Sequence, residues 1–216
     1  MPKIGVLSDT HGYLDPQVFS FFKDCDEIWH AGDIGSLELI DSLIAFKSLR
    51  IVHGNIDDHI IQRETNRDLL FNCGGHLVFM THIAGPFGSY NAHTRKYVME
   101  NNPRILICGH SHLLKIAYDQ KYQLLYINPG ACGFKGVHQV RTLVRFQINN
   151  KDISGMEIYE FANRFPNMAN REDEHIDTKR KAVDKTAFPI CNKPISSLFV
   201  REKTPGKSYL DIVRIL

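Results

Sequence analysis

The segment Lys3 to Gly12, KIGVLSDTHG, is an apolar run that ends in a cluster of polar residues. Too short for a helix and too apolar for a loop, Lys3 to Leu7 reads as a buried strand that delivers Ser8, Asp9, Thr10 and His11 at its C-terminal end. The pattern recurs downstream. Residues 15–24 fit a helix, Glu27 to Trp29 a strand ending at Gly32-Asp33, residues 36–46 a second helix, and Arg50 to Val52 a strand ending at Gly54-Asn55. Strand, polar tip and helix in alternation predict an α/β sheet.

After Asp57 the pattern changes. Asp68 to Asn72 and His76 to Met80 read as a hairpin about Cys73-Gly74-Gly75, and its second strand ends in Thr81-His82. Residues 91–101 fit a helix stopped at Asn102-Pro103, and the strand Arg104 to Cys108 ends in Gly109-His110-Ser111-His112. Further strands are expected at 113–118, 122–127, 140–148 and 153–159. The two halves together predict two sheets packed face to face with helices outside. From about residue 163 the chain turns polar and mixed in charge, punctuated by Pro166, Pro189, Pro194 and Pro205. Residues 163–216 are therefore read as a partly irregular C-terminal extension, with a short helix near 174–184 and a strand at 197–201.

Composition narrows the class without choosing the function. With 216 residues and 43% hydrophobic content the chain has enough apolar material for a core without staples. A formal net charge of +2 gives no strong nucleic-acid signature and no call for an anionic membrane. Five cysteines, scattered and never in a CxxC spacing, fit a reduced interior rather than a disulfide framework. Neither a signal sequence nor a membrane span is visible, so a soluble cytoplasmic protein is expected.

The chemistry lies in the strand tips. In chain order they are Asp9-x-His11, Gly32-Asp33, Gly54-Asn55-x-Asp57, Thr81-His82 and Gly109-His110-x-His112. C-terminal strand ends of an open α/β sheet gather at one edge, where such folds place ligands, so the tips are expected to converge. Imidazoles, carboxylates and an amide oxygen suit Mn, Fe, Co, Ni or Zn and do not suit Ca. Any one tip alone has a bland reading as a cap or a turn. All of them in this order, each closing an apolar run, favour a metal site.

On these motifs, together with Ile127-Asn128-Pro129-Gly130, the sequence resembles the calcineurin-like metallophosphoesterases, and among them the compact prokaryotic phosphodiesterases. The resemblance spans residues 3 to about 160, and implies a metallophosphoesterase domain over 1–162. It also implies a four-layer α/β/β/α sandwich of two mixed sheets with flanking helices. Carried over by residue, it implies one ion held by Asp9, His11, Asp33 and His112, and a second held by Asp33, Asn55, His82 and His110. Asp57 and Asn128 would stand behind these ligands, Asn128 mainly as a turn former. The cofactor implied is a pair of divalent transition metal ions, manganese first, with Fe, Ni, Co or Zn as alternatives. Attack on a phosphodiester by a metal-activated hydroxide then needs no protein base.

Two positions depart from the family pattern. Many members carry a histidine after the metal-binding asparagine, where this chain has Ile56, and a glycine is common where it has Ile83. Isoleucine can neither protonate a leaving group nor pair with a phosphate oxygen, which shifts the expectation from monoesters toward phosphodiesters. His53 and His138 are weak candidates for the missing acid, and His59 and His93 weaker ones. Trp29 and His30 are expected to pack, and Arg95 and Lys96 to lie on a solvated helix face. The expected partner is a phosphodiester-containing small molecule or nucleotide, with homo-oligomerisation left open. The alternative is a catalytically weak or inactive scaffold of the same fold.

Overall fold

The structure is a computed structural model describing residues 1–150 and 152–161, together with the backbone of 181–182 and 188–189. The first sheet begins with β1 (Lys3–Leu7), β2 (Glu27–His30) and β3 (Ser48–Ile51), all parallel, interleaved with α1 (Pro16–Phe22) and α2 (Leu37–Phe46). After the short α3 (His59–Glu64), the second sheet takes up β4 (Asp68–Cys73), β5 (His76–Thr81), β6 (Ile105–Ile107), β7 (Leu114–Asp119) and β8 (Leu124–Pro129), with α4 (Ala92–Asn101) between β5 and β6. The chain then returns to the first sheet through β9 (Thr142–Ile148) and β10 (Asp152–Glu160), with β9 antiparallel to β1. The spatial orders are β10-β9-β1-β2-β3 and β4-β5-β6-β8-β7. Both sheets are mixed, and β5, β6 and β8 run parallel.

Period-two alternation explains why the sheets stack. Ile4, Val6 and Trp29 of the first sheet meet Val78, Met80, Ile105, Ile107, Leu125 and Ile127 of the second in one buried cluster. The alternate residues face outward. Leu7 and Ile28 pack with Phe22 of α1 and Leu43 of α2, while Phe79, Leu106 and Tyr126 pack with Val98 of α4. Gly5 lies where any Cβ would stand 2.7 Å from Phe22 Cδ1, which lets α1 lie close against β1. The α/β/β/α sandwich of two mixed sheets with flanking helices is the architecture expected from sequence.

The helix starts are chemically set. Asp15, Ser36, Asp58 and Asn91 each accept a hydrogen bond from a first-turn backbone N–H, and Pro16 opens α1. Asn102 closes α4 in the left-handed conformation at φ 49°, directly before Pro103. Arg95 and Lys96 lie on the exposed face of α4.

Two expectations need correction, and one element is new. The third strand is Ser48–Ile51 rather than Arg50 to Val52, and Val52 instead makes an isolated parallel bridge with Asn66. Helix α3 is additional; at six residues it is too short to show a period, and its start is fixed by the Asp58 carboxylate accepting from Ile60 and Ile61 N–H. Within the helix expected at 174–184, Lys181–Ala182 is a strand, β11, antiparallel to β10, and Phe188–Pro189 forms β12 on the same strand. The edge of β10 has backbone groups to pair, and this outweighs a weak helical pattern. The rest of that helix and the strand expected at 197–201 lie outside the described residues.

Candidate metal centre

The C-terminal tips of β1, β2, β5 and β6 and the loop after β3 meet at one edge of the sandwich. His112 Nε2 lies 3.2 Å from Asp9 Oδ1 and 3.4 Å from His11 Nε2, and His11 Nε2 lies 3.8 Å from Asp33 Oδ2. On the other side of Asp33, its Oδ1 lies 3.2 Å from His82 Nε2, which is also 3.2 Å from Asn55 Oδ1. The His82 and His110 rings stand edge to face with centroids 5.3 Å apart. Two groups of donor atoms result, Asp9 with His11, Asp33 and His112, and Asp33 with His82 and His110. Within each group all the donor atoms lie within 4.8 Å of one another. Asp33 belongs to both, and Asn55 joins the second through its contact with His82.

The backbone adopts unusual conformations to achieve this. Among the described residues, positive φ occurs at seven non-glycine positions, and five of them are Asp9 (54°), His11 (50°), Asp33 (56°), His110 (67°) and His112 (59°). Asp and His tolerate this region better than most residues, yet each instance still costs on the order of 1 kcal/mol. Concentration of such residues at one edge marks a site that the rest of the fold holds in place. At Gly54 a Cβ would overlap Asp33 Oδ1, so only glycine lets this loop close over the shared carboxylate.

A buried polar network supports the group. Asp57 accepts from the N–H groups of Ile34 (3.1 Å), Gly35 (2.8 Å) and Gly54 (2.7 Å), tying the loop after β2 to the loop after β3. Asn128 acts in two ways: its Oδ1 accepts from Gly130 N–H (3.0 Å) within the turn, and its Nδ2 donates to the Gly109 carbonyl (2.7 Å) and Ser111 Oγ (3.0 Å) around His110. The Asp9 carboxylate accepts from His110 N–H at 3.2 Å. His82 Nδ1 donates to the Ala31 carbonyl at 2.7 Å, which leaves Nε2 facing Asp33 and Asn55.

Electrostatics follow from these contacts. Burial disfavours charge on both partners of the Asp33 and His82 pair, but their mutual hydrogen bond and attraction prevail, raising the imidazole and lowering the carboxyl. His11 is lowered, chiefly by burial. Neither donor group contains a lysine, arginine or cysteine. Cys25, Cys73, Cys108 and Cys132 are buried free thiols, and burial pushes Cys108 and Cys132 up to about 12.

The remaining histidines occupy distinct places. His53 is half-buried with Nδ1 3.2 Å from Thr65 Oγ1, and His93 Nε2 pairs with Asp68 Oδ2 at 2.8 Å. His138 is buried against His112 and Gly133. Ile56 presents its backbone N–H to Asp33 Oδ1 at 3.1 Å while its side chain stays exposed, as does that of Ile83. The sequence pattern suggests packing for His30 and assigns Thr10 no role. His30 is wholly buried but polar in function, with Nε2 2.9 Å from Thr10 Oγ1 and Nδ1 accepting from Gly32 N–H at 3.2 Å. The available signal was position, since Thr10 and His30 each stand within three residues of a proposed ligand.

The model of the calcineurin-like phosphoesterase superfamily domain matches residues 2–151. The chain belongs to the calcineurin-like phosphoesterase superfamily. A probable metallophosphoesterase of Methanothermobacter thermautotrophicus is 32% identical over 134 residues, 59% of this chain and 76% of that protein. A second, from Methanocaldococcus jannaschii, is 33% identical over 137 residues, 59% of this chain and 67% of that protein. Among solved structures, Vps29 of Chaetomium thermophilum superimposes with TM-score 0.66 at 14% identity, covering 87% of this chain and 97% of that one. An archaeal phosphodiesterase gives TM-score 0.55 at 22% identity, covering 67% and 93%. These two likenesses concern the fold. As a calcineurin-like phosphoesterase, the chain carries a candidate metal-binding group where the strand tips of its sandwich meet. Among the described residues no helix is long and apolar enough to cross a membrane.

Proposed function

We propose that this chain is a metal-dependent phosphodiesterase, with Asp9, His11, Asp33 and His112 holding one divalent ion and Asp33, Asn55, His82 and His110 a second. The observation that carries the reading is Asp33, whose two oxygens face separate donor groups, Oδ2 toward His11 and Oδ1 toward His82. The donors fit such ions: imidazole, carboxylate and amide oxygen suit Mn, Fe, Co, Ni or Zn, and the family resemblance puts Mn first. A Vps29 from Entamoeba histolytica with this fold was solved with zinc.

When bound, a pair of divalent ions lowers the pKa of water and supplies positive charge to phosphoryl oxygens. The chain's own residues do the rest. Two carboxylates against two divalent ions leave the centre about two charges positive, which suits an anionic phosphoester. Asp57 and Asn128 hold the loops that carry Asp33, Asn55 and His110, so the donors are set before substrate arrives. Ile56 offers no proton to a leaving group, which favours a diester with a stable leaving anion over an alkyl monoester.

The second reading is a protein-interaction scaffold, favoured by the Vps29 likenesses. One experiment separates the two. The purified chain, stripped with a chelator and reloaded with Mn, is assayed on bis(p-nitrophenyl) phosphate. Activity lost on stripping and restored by Mn supports the enzyme; no turnover with a full complement of metal supports the scaffold.

A further inference from the structure

We propose that His138 is a positioning residue: it fixes the tautomer of His112 and so aims the unshared pair of His112 Nε2 at Asp9, His11 and Asp33. The proposal rests on the reading of that donor group as a metal site.

The argument is one of donors and acceptors. His138 Nε2 lies 3.1 Å from the Gly133 carbonyl oxygen. A carbonyl only accepts, so Nε2 carries the proton, and in the neutral ring Nδ1 is left as an acceptor. That Nδ1 stands 3.2 Å from Nδ1 of His112. A hydrogen bond between two ring nitrogens holds one proton, which here belongs to His112 Nδ1. In the neutral ring, the form that ligates, His112 Nε2 is then bare, and Nε2 is the atom that faces Asp9 Oδ1 at 3.2 Å.

A competing arrangement shows why the device matters. Asp9 is itself an acceptor and draws a proton onto His112 Nε2, the tautomer that cannot ligate. The acceptor behind the ring, His138, tips the balance the other way. The fold is fitted to bring it there. Gly136 has φ 112°, and a Cβ at that residue would overlap the His112 ring nitrogen, so only glycine lets the 133–138 loop pass behind His112. His138 is 3% exposed and meets the His112 ring at 70° with centroids 5.2 Å apart. The second donor group has its counterpart in the Ala31 carbonyl, which accepts from His82 Nδ1 at 2.7 Å. Each group thus contains a histidine whose Nδ1 proton has an acceptor fixed by the fold.

The test compares full-length wild type with His138→Leu and His138→Gln. Leucine has similar bulk but no acceptor, while the glutamine amide offers both an acceptor and a donor. Mn binding is read by calorimetry and elemental analysis, and the His112 tautomer by NMR of the metal-free, 15N-histidine-labelled protein. Two ions are expected in wild type. His138→Leu should keep one ion at wild-type affinity and bind the other about 10- to 100-fold more weakly. His138→Gln should restore most of that loss. At a pH where the ring is neutral, His112 should carry its proton on Nδ1 in wild type and on Nε2 in His138→Leu. Undiminished binding of both ions by His138→Leu overturns the proposal, as does a glutamine variant as weak as the leucine one at equal thermal stability. If wild type takes up no ion, the metal reading itself fails, and the labelled spectrum still decides the tautomer on its own.

Discussion

On the proposed phosphodiesterase reading, leaving-group preference turns on Ile56. Its backbone N–H holds Asp33 Oδ1 at 3.1 Å, while its side chain is 43% exposed beside Asn55. A histidine at this position keeps the backbone bond and adds a proton donor next to the leaving group. Ile56→His should therefore raise the ratio of monoester to diester turnover by about tenfold or more, given that a positioned acid contributes about 10² to 10⁴. The measurement is kcat/KM on p-nitrophenyl phosphate against its bis-aryl diester, and an unchanged ratio removes the leaving-group argument. At this scale the sequence was informative about residue types and silent about conformation. Asp9, His11, Asp33, His110 and His112 stand out as polar residues closing apolar runs, but nothing in their spacing announces φ between 50° and 67°. That conformation is imposed by the turns that fold each tip back over the sheet edge.

Between elements, two devices join the loops. Asp57 accepts from Ile34, Gly35 and Gly54 N–H, so it ties the tip of β2 to the tip of β3. Asp57→Ala leaves these three donors without their acceptor and should cost about 3 kcal/mol or more, measured by urea unfolding, with weaker metal uptake as Asp33 loosens. His30 ties the tip of β1 to that of β2 through Thr10 and Gly32, and burial pushes its imidazole down from 6.5 to about 4. The unfolded chain therefore binds this proton more readily than the folded one. Stability from His30 is complete above pH 6.5, falls as pH drops toward 4 and is flat below, with a total of up to about 3 kcal/mol. In a His30→Gln variant this part of the slope should be missing between pH 7 and 4. An identical slope would mean that His30 is solvated in the folded state. The strands were legible because inward and outward residues alternate, as in Ile105, Leu106 and Ile107. Helix α3 was not, because six residues show less than two turns of any period, and β11 was not, because two residues are too few to show an alternation.

Across the whole molecule, two sheets meet along an apolar seam, and one edge of the sandwich gathers buried carboxylates and strained backbone that the rest of the fold must offset. Asp9 and Asp33 bring two carboxylates together, almost wholly buried, and five candidate ligands hold left-handed backbone. Interactions along the seam, such as Val6 and Trp29 against Met80 and Ile107, offset that strain. The sandwich could be read from sequence since both its faces are periodic, whereas the fate of the chain after β10 could not, as composition alone carries no register. Ions that bind only the folded protein stabilise it by mass action, by about 2.7 kcal/mol for each site at a hundredfold excess over Kd. In a chain of this size that corresponds to a rise in Tm of about 5 to 10 °C for one ion. Mn should therefore raise Tm of the wild type by at least that amount, and a chelator should reverse it. Asp33→Asn removes the charge shared by both groups, so the variant should remain folded without metal and lose most of the Mn-dependent rise together with diester hydrolysis. If Mn stabilises Asp33→Asn as strongly as wild type, the ions bind elsewhere on the surface, and the assignment of Asp33 as their common ligand fails.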